Sequence, residues 1–217
     1  MLSIVIEIAG LTNDDDGIAQ NQIAGPGNLN LNGALVVDGV AIAVEAQQVV
    51  LTSASNLSTV NFTITGTDAD GKTFSETIIG PNNTNVKTAS YFKTVTQIFA
   101  SASLGTGVKV GWVAANGGIT KSISVNSRQS PFNMSVSAQE IVSGGTVSVQ
   151  HTVDDPQATH IGRFATDANW LDTLNITDVT ETSESNIAFP VQAVRGIVTI
   201  GTSATSWIFT FLQGQNG

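Results

Sequence analysis

Gly66, Gly71, Lys72 and Thr73 satisfy G-x-x-x-x-G-K-[ST], the spacing of a loop that wraps nucleotide phosphates with backbone N–H groups. Such a loop must open into a helix, whose free N–H groups and dipole hold the anion. The residues that follow are Thr73-Phe74-Ser75-Glu76-Thr77-Ile78-Ile79, rich in β-branched types, with Phe74 and Ile78 on one side at a period of two. That is a strand signal. Asp68 and Asp70 would also turn carboxylates towards a triphosphate. Val60 to Ile79 therefore reads as two strands joined by an Asp-Gly turn, without a nucleotide.

The remaining chemistry-bearing residues are sparse. His151 and His160 are the two histidines, and Asp154 and Asp155 lie close enough in sequence to suggest an acid–base or metal site. No third ligand follows at short spacing, and strict alternation puts His151 on the face of Val149 and Val153, so a structural histidine is expected. Asp14-Asp15-Asp16 offers carboxylates for Ca²⁺, but successive side chains on an extended chain diverge; a solvated turn is expected. Asp68-Ala69-Asp70-Gly71 lacks the downstream bidentate acid of a calcium loop. The serines lack a G-x-S-x-G elbow. Glu76 and Glu140 are isolated and expected to face water. There is no cysteine, hence no disulfide, thiolate metal site or thiol nucleophile. No enzyme activity, cofactor or metal is expected. Trp112 and Trp207 fit core faces of strands, leaving Trp170 as the surface aromatic. Arg195, one of the three arginines, either pairs a carboxylate across an interface or sits on an exposed face.

The elements that would carry these residues are short strands. The chain has 217 residues, 41% hydrophobic but only 12% charged, with 21 glycines; Thr, Ser, Asn and Gln fill the balance. Charged content is usually about 25%, so few salt bridges are available. Net charge is −9, spread as nine acids against four bases over residues 1–120 and eight against four beyond. Nucleic acid, whose binding rests on clustered Lys and Arg, is not expected as a partner. Met1 to Ile8 is apolar but lacks a basic leader and is interrupted by Glu7, so neither a signal peptide nor a membrane span is expected.

Ile4, Ile6 and Ile8 alternate. Leu35-Val36-Val37, Asp38-Gly39 and Val40-Ala41-Ile42-Ala43-Val44 read together as a tight hairpin. Val86–Ile98, Gly107–Val113, Val147–Val153, Ala193–Ile200 and Ser206–Leu212 add strands, and Trp207, Phe209 and Phe211 share a face. A short helix is expected only at Asp167–Leu174. The fold expected is all-β: two β-sandwich-like domains of short antiparallel strands, 27–115 and 121–217, joined by a linker at 116–120 and preceded by an extended N-terminal strand or arm, 1–26.

Three segments together carry a resemblance: Val60–Ile79 running into Tyr91–Ile98; Val149-Gln150-His151-Thr152-Val153-Asp154-Asp155-Pro156; and Phe189–Arg195 closing on Phe211-Leu212-Gln213-Gly214. The arrangement resembles β-rich capsid decoration (cement) proteins of short-tailed bacteriophages. The resemblance implies a non-enzymatic virion protein that binds the outer face of the head, contacts the major capsid protein, forms a homo-oligomer (a trimer at threefold positions), and is assembled in the host cytoplasm. The alternative is a receptor- or carbohydrate-binding module of a tail or fibre. The interface residues expected are Ile4, Ile6, Ile8, Trp170 and Arg195. Ile4, Ile6 and Ile8 either pair with another chain's edge or form an ordinary strand of their own sheet.

Overall fold

The computed structural model describes residues 2–156 and 168–214. The fold is all-β. In chain order the strands are β1 (Leu2–Ala9), β2 (Asp14–Gln22), β3 (Gly27–Asn28), β4 (Val36–Val37), β5 (Val40–Thr52), β6 (Asn61–Thr67), β7 (Thr73–Ile79), β8 (Asn85–Ala100) and β9 (Val108–Trp112). A 3₁₀ turn at Ala114–Asn116 follows, then β10 (Gly118–Ile119), β11 (Ile123–Ser124), β12 (Met134–Val142), β13 (Thr146–Thr152), β14 (Leu171–Asp172), β15 (Ser183–Ile187), β16 (Ala193–Ile200) and β17 (Ser206–Gln213).

The chain divides into two compact units. One is continuous, Leu11–Gly118; the other combines Met1–Gly10 with Ile119–Gly217. The N-terminal stretch expected as one segment, 1–26, is thus split. β1 is a strand of the second unit, paired along its whole length with β17, Leu2 opposite Gln213 through Ala9 opposite Ser206. β2 belongs to the first unit and pairs with β9. The physical reason is burial: Ile8 lies opposite Trp207 and is fully buried, and Ile18 and Ala19 of β2 are fully buried in the other core.

In the continuous unit the antiparallel ladders run β7-β6-β8-β5-β9-β2, with β3 on β8 and β4 on β5. The core is one cluster that includes Trp112, Phe62, Phe92, Ile64, Ile98 and Leu51, all fully buried. Long strands stay with that core by bending at bulges. β5 shifts register against β8 between Ile42 and Gln47, and β6 shifts between Thr65 and Gly66. Phe74 of β7 stacks on Phe92 of β8 with ring centroids 4.3 Å apart. The two rings meet across β6 at Gly66, which stands opposite Phe74 and where an added Cβ would lie 3.1 Å from the Phe92 ring.

In the discontinuous unit one sheet has the order β1-β17-β12-β15. The facing ladder is β14-β13-β16, with β11 on β16. Phe209 of β17 lies over Gly196 of β16, where a Cβ would come within 2.6 Å of the ring. Sheet thus meets sheet, with Trp207, Phe209, Met134, Val136, Val147 and Val149 buried between them. The helix expected at Asp167–Leu174 is absent from the described part of that span: Leu171–Asp172 is a strand, His151 opposite Leu171 and Gln150 opposite Asp172. Two free ladder positions on β13 outweigh a weak local preference for helix.

Candidate functional site

Asp68 shows how the phosphate-loop spacing is used. Its Oδ1 accepts the N–H of Asp70 at 2.9 Å and of Lys72 at 2.8 Å, closing a tight turn with Gly71 at φ 82°. Thr73 then enters β7, which pairs with β6 from Thr67↔Thr73 to Asn61↔Ile79. No helix N-terminus exists there to hold a phosphate. Burial holds the Asp68 carboxyl above its ordinary range, and the Lys72 N–H partly offsets this. Glu76 does not point idly to water as expected. Its carboxylate accepts the N–H of Ala89 at 2.7 Å and of Ser90 at 2.9 Å, tying β7 to β8. Glu140 is half-buried beside a bulge of β12, and its N–H donates to Thr182 Oγ1 at 3.1 Å.

Asp14, Asp15 and Asp16 bring carboxylate oxygens within 4.8 Å of one another. They open β2 instead of forming a turn. Lys109 Nζ lies 2.5 Å from Asp15 Oδ2. A hydrogen bond with Asp14 raises the Asp16 carboxyl above its ordinary range, with neighbouring charge adding to it.

His151 is buried; its Nδ1 lies 3.0 Å from Thr173 Oγ1 and its ring meets Phe189 edge-on at 5.3 Å. Burial lowers its pKa, with Asp172 opposing the shift. His160 lies outside the described residues. Trp112 and Trp207 are fully buried, as their strand positions require, and neither indole N–H has a hydrogen-bond partner among the described residues.

Trp170 and Arg195, chosen separately from the sequence, come together. Arg195 Cζ sits 4.1 Å from the centroid of the Trp170 ring. Arg195 Nε donates to Gln150 Oε1 at 2.9 Å, and Gln150 Nε2 donates to Asp172 Oδ1 at 3.0 Å. β13 places them: Gln150 is opposite both Arg195 on β16 and Asp172 on β14. One face of the indole is therefore occupied by a guanidinium.

The Ile4–Ile6–Ile8 stripe faces inward. These residues stand opposite Phe211, Phe209 and Trp207 of β17. Ile8 is fully buried, so as an interface residue it is corrected to core; Ile4 and Ile6 are half-buried, and Val5 on the outer face is 58% exposed.

The surface that sequence reasoning missed is on β5. Asp38 and Gly39, at φ 52° and 79°, form the tight turn between β4 and β5. Beyond it Ala41 and Ala43 point into the core, while Val40, Ile42 and Val44 point out, Ile42 48% and Val44 53% exposed. Val37, opposite Val40, is 62% exposed. A strand with one wet face alternates apolar with polar, whereas apolar residues on both faces mark a strand covered on both. The signal was legible as the unbroken run Val40-Ala41-Ile42-Ala43-Val44.

Comparison with known protein families and with curated proteins finds no match to this chain.

Proposed function

We propose that this chain is a structural virion protein, a capsid decoration protein that binds the outer face of a phage head through the major capsid protein. The reading starts from the resemblance carried by Val60–Ile79 with Tyr91–Ile98, by Val149–Pro156, and by Phe189–Arg195 with Phe211–Gly214. The observation that supports it most is the outward apolar row Val37, Val40, Ile42 and Val44, which calls for a covering surface. The charged and polar side chains described above, Glu76, Asp68, Gln150 and His151, are spent on fixing backbone and neighbours. Binding only to the assembled lattice would shift assembly towards the closed shell by mass action. Many modest contacts repeated by symmetry would add through avidity. The carbohydrate-binding alternative relied on Trp170, whose ring is already stacked by Arg195.

The test is to image purified particles by cryo-EM and to rebind the purified chain to heads stripped of it. Density on the head, with occupancy at a fixed protein concentration falling at least about tenfold in an Ile42→Ser, Val44→Ser variant, is the expected outcome. A chain found on the tail, or one that sediments free of particles, would overturn the proposal.

A further inference from the structure

Among the described residues β1 ends its sheet, and its backbone shows which groups face away from β17. Gly10 N–H donates to the Thr205 carbonyl at 2.8 Å, and Gly10 continues the register that sets Ala9 opposite Ser206. In an antiparallel ladder, residues that exchange hydrogen bonds alternate with residues that do not. The residues bonded to β17 are thus the even ones, Ile4, Ile6 and Ile8. Ser3, Val5, Glu7 and Ala9 aim N–H and C=O away from β17, at the open edge. Natural edge strands are blunted by charged side chains, above all Lys, by Pro, a bulge or a cover, and the charge that β1 carries is Glu7 alone. Leu2-Ser3-Ile4-Val5-Ile6-Glu7-Ile8-Ala9 has no Lys or Pro, and its register with β17 is unbroken.

We propose that this edge joins two copies of the chain, β1 against β1 in antiparallel register about a two-fold axis through Val5. The inference goes beyond the capsid reading and stands without it. The axis follows from charge and parity. Only odd residues have groups to offer, so odd must face odd. Centred on Val5, the pairing sets Glu7 opposite Ser3 of the second copy, Val5 opposite Val5 and Ile4 opposite Ile6, with about six backbone hydrogen bonds. The two Glu7 carboxylates then stand about four residues, or 14 Å, apart along the strands. Centred instead on Ile6, each Glu7 would be a diagonal neighbour of the other, about 7–8 Å away, a like-charge contact in a chain of net charge −9. The Val5 register also buries the half-exposed sides of Ile4 and Ile6, and stacks Val5 on Val5. A contact that uses the same surface on both partners is self-complementary and closes at two. It replaces the threefold association that the resemblance implies.

The chain has no cysteine, so Val5→Cys introduces a single thiol placed on the axis. Under mild oxidation Val5→Cys should form a disulfide-linked dimer, and Ser3→Cys alone should not. Val5→Pro removes an N–H that faces the open edge and leaves the β17 ladder intact; Val5→Lys is the second blunting variant. In light scattering after gel filtration, the unaltered protein should have twice the mass of one chain, and both blunted variants half of that, with unchanged circular dichroism. A wild-type chain that stays monomeric up to about 1 mM, a trimer, or Ser3→Cys cross-linking as well as Val5→Cys would each overturn the proposal.

Discussion

Gln47 is the side chain whose loss should be felt most sharply in the continuous unit. It is fully buried, accepts the Thr12 N–H on Oε1 at 2.7 Å and donates from Nε2 to the Thr12 carbonyl at 3.0 Å. Thr12 in turn accepts the Val44 N–H on Oγ1 at 2.8 Å. One amide thus serves both backbone groups of a residue that no ladder reaches. Gln47→Leu keeps the volume and removes both partners, leaving an N–H and a C=O unpaired at a residue only 7% exposed. Each buried orphan costs about 1–3 kcal/mol, so with two of them the unit should lose about 2–6 kcal/mol. Thr12→Ala, which removes only the hydroxyl acceptor, should cost about 1 kcal/mol. Trp112 is the one tryptophan of this unit. Urea unfolding followed by fluorescence in a Trp170→Phe, Trp207→Phe background therefore reports on it alone. With a slope of about 2 kcal/mol per molar urea, the Gln47→Leu midpoint should fall by about 1–3 M. A loss below about 1 kcal/mol, or one equal to that of Thr12→Ala, would refute the claim that these two bonds are made in isolation from water.

Other outcomes follow from the same reasoning. Because burial lowers the His151 pKa, the unfolded chain takes up its proton more readily. The stability His151 contributes is complete above about pH 6.5 and declines as pH falls from there towards the folded value; a His151→Gln variant compared by urea midpoint across that window should lack this slope. Glu45 and Asp68, held high by burial, act oppositely: stability declines as pH rises from the ordinary carboxylate range through their folded values, and Glu45→Gln should flatten its share. Gly196→Ala would drive a methyl to within 2.6 Å of the Phe209 ring, and should cost about 1–3 kcal/mol in urea unfolding followed at Trp207. Arg195→Lys loses the planar stack and the Nε bond to Gln150; Trp170 emission should shift to the red, with a stability loss of about 1 kcal/mol.

Strands with one clean apolar row were readable from alternation: Trp207, Phe209 and Phe211 are buried together on β17, and Val108, Val110 and Trp112 on β9. What alternation could not supply was pairing. Ile4, Ile6 and Ile8 announced a strand, yet their partner lies some two hundred positions away, and no local residue encodes that choice. β2 and β15 escaped notice because edge strands made of Asp, Asn, Gln, Ser and Glu carry no apolar period. Glu76 looked isolated because its partners, the amides of Ala89 and Ser90, have no side-chain signature. Trp170 and Arg195 were each visible as types, but only β13, which pairs with β14 on one side and β16 on the other, brings their segments together. The β5 row was overlooked because a continuous apolar run was read as a hairpin strand without asking what its second face touches.

The ladder between β1 and β17 also sets a timetable for synthesis. Leu2 leaves the ribosome long before Gln213, its partner, exists. At about 5–20 residues per second the wait is roughly 10–40 s. Throughout it an isoleucine-rich segment is unpaired, while the whole of Leu11–Gly118 is made and is free to fold behind it. Closure of the discontinuous unit therefore waits for β17, and a nascent chain stalled before that strand carries β1 as an apolar strand without its partner.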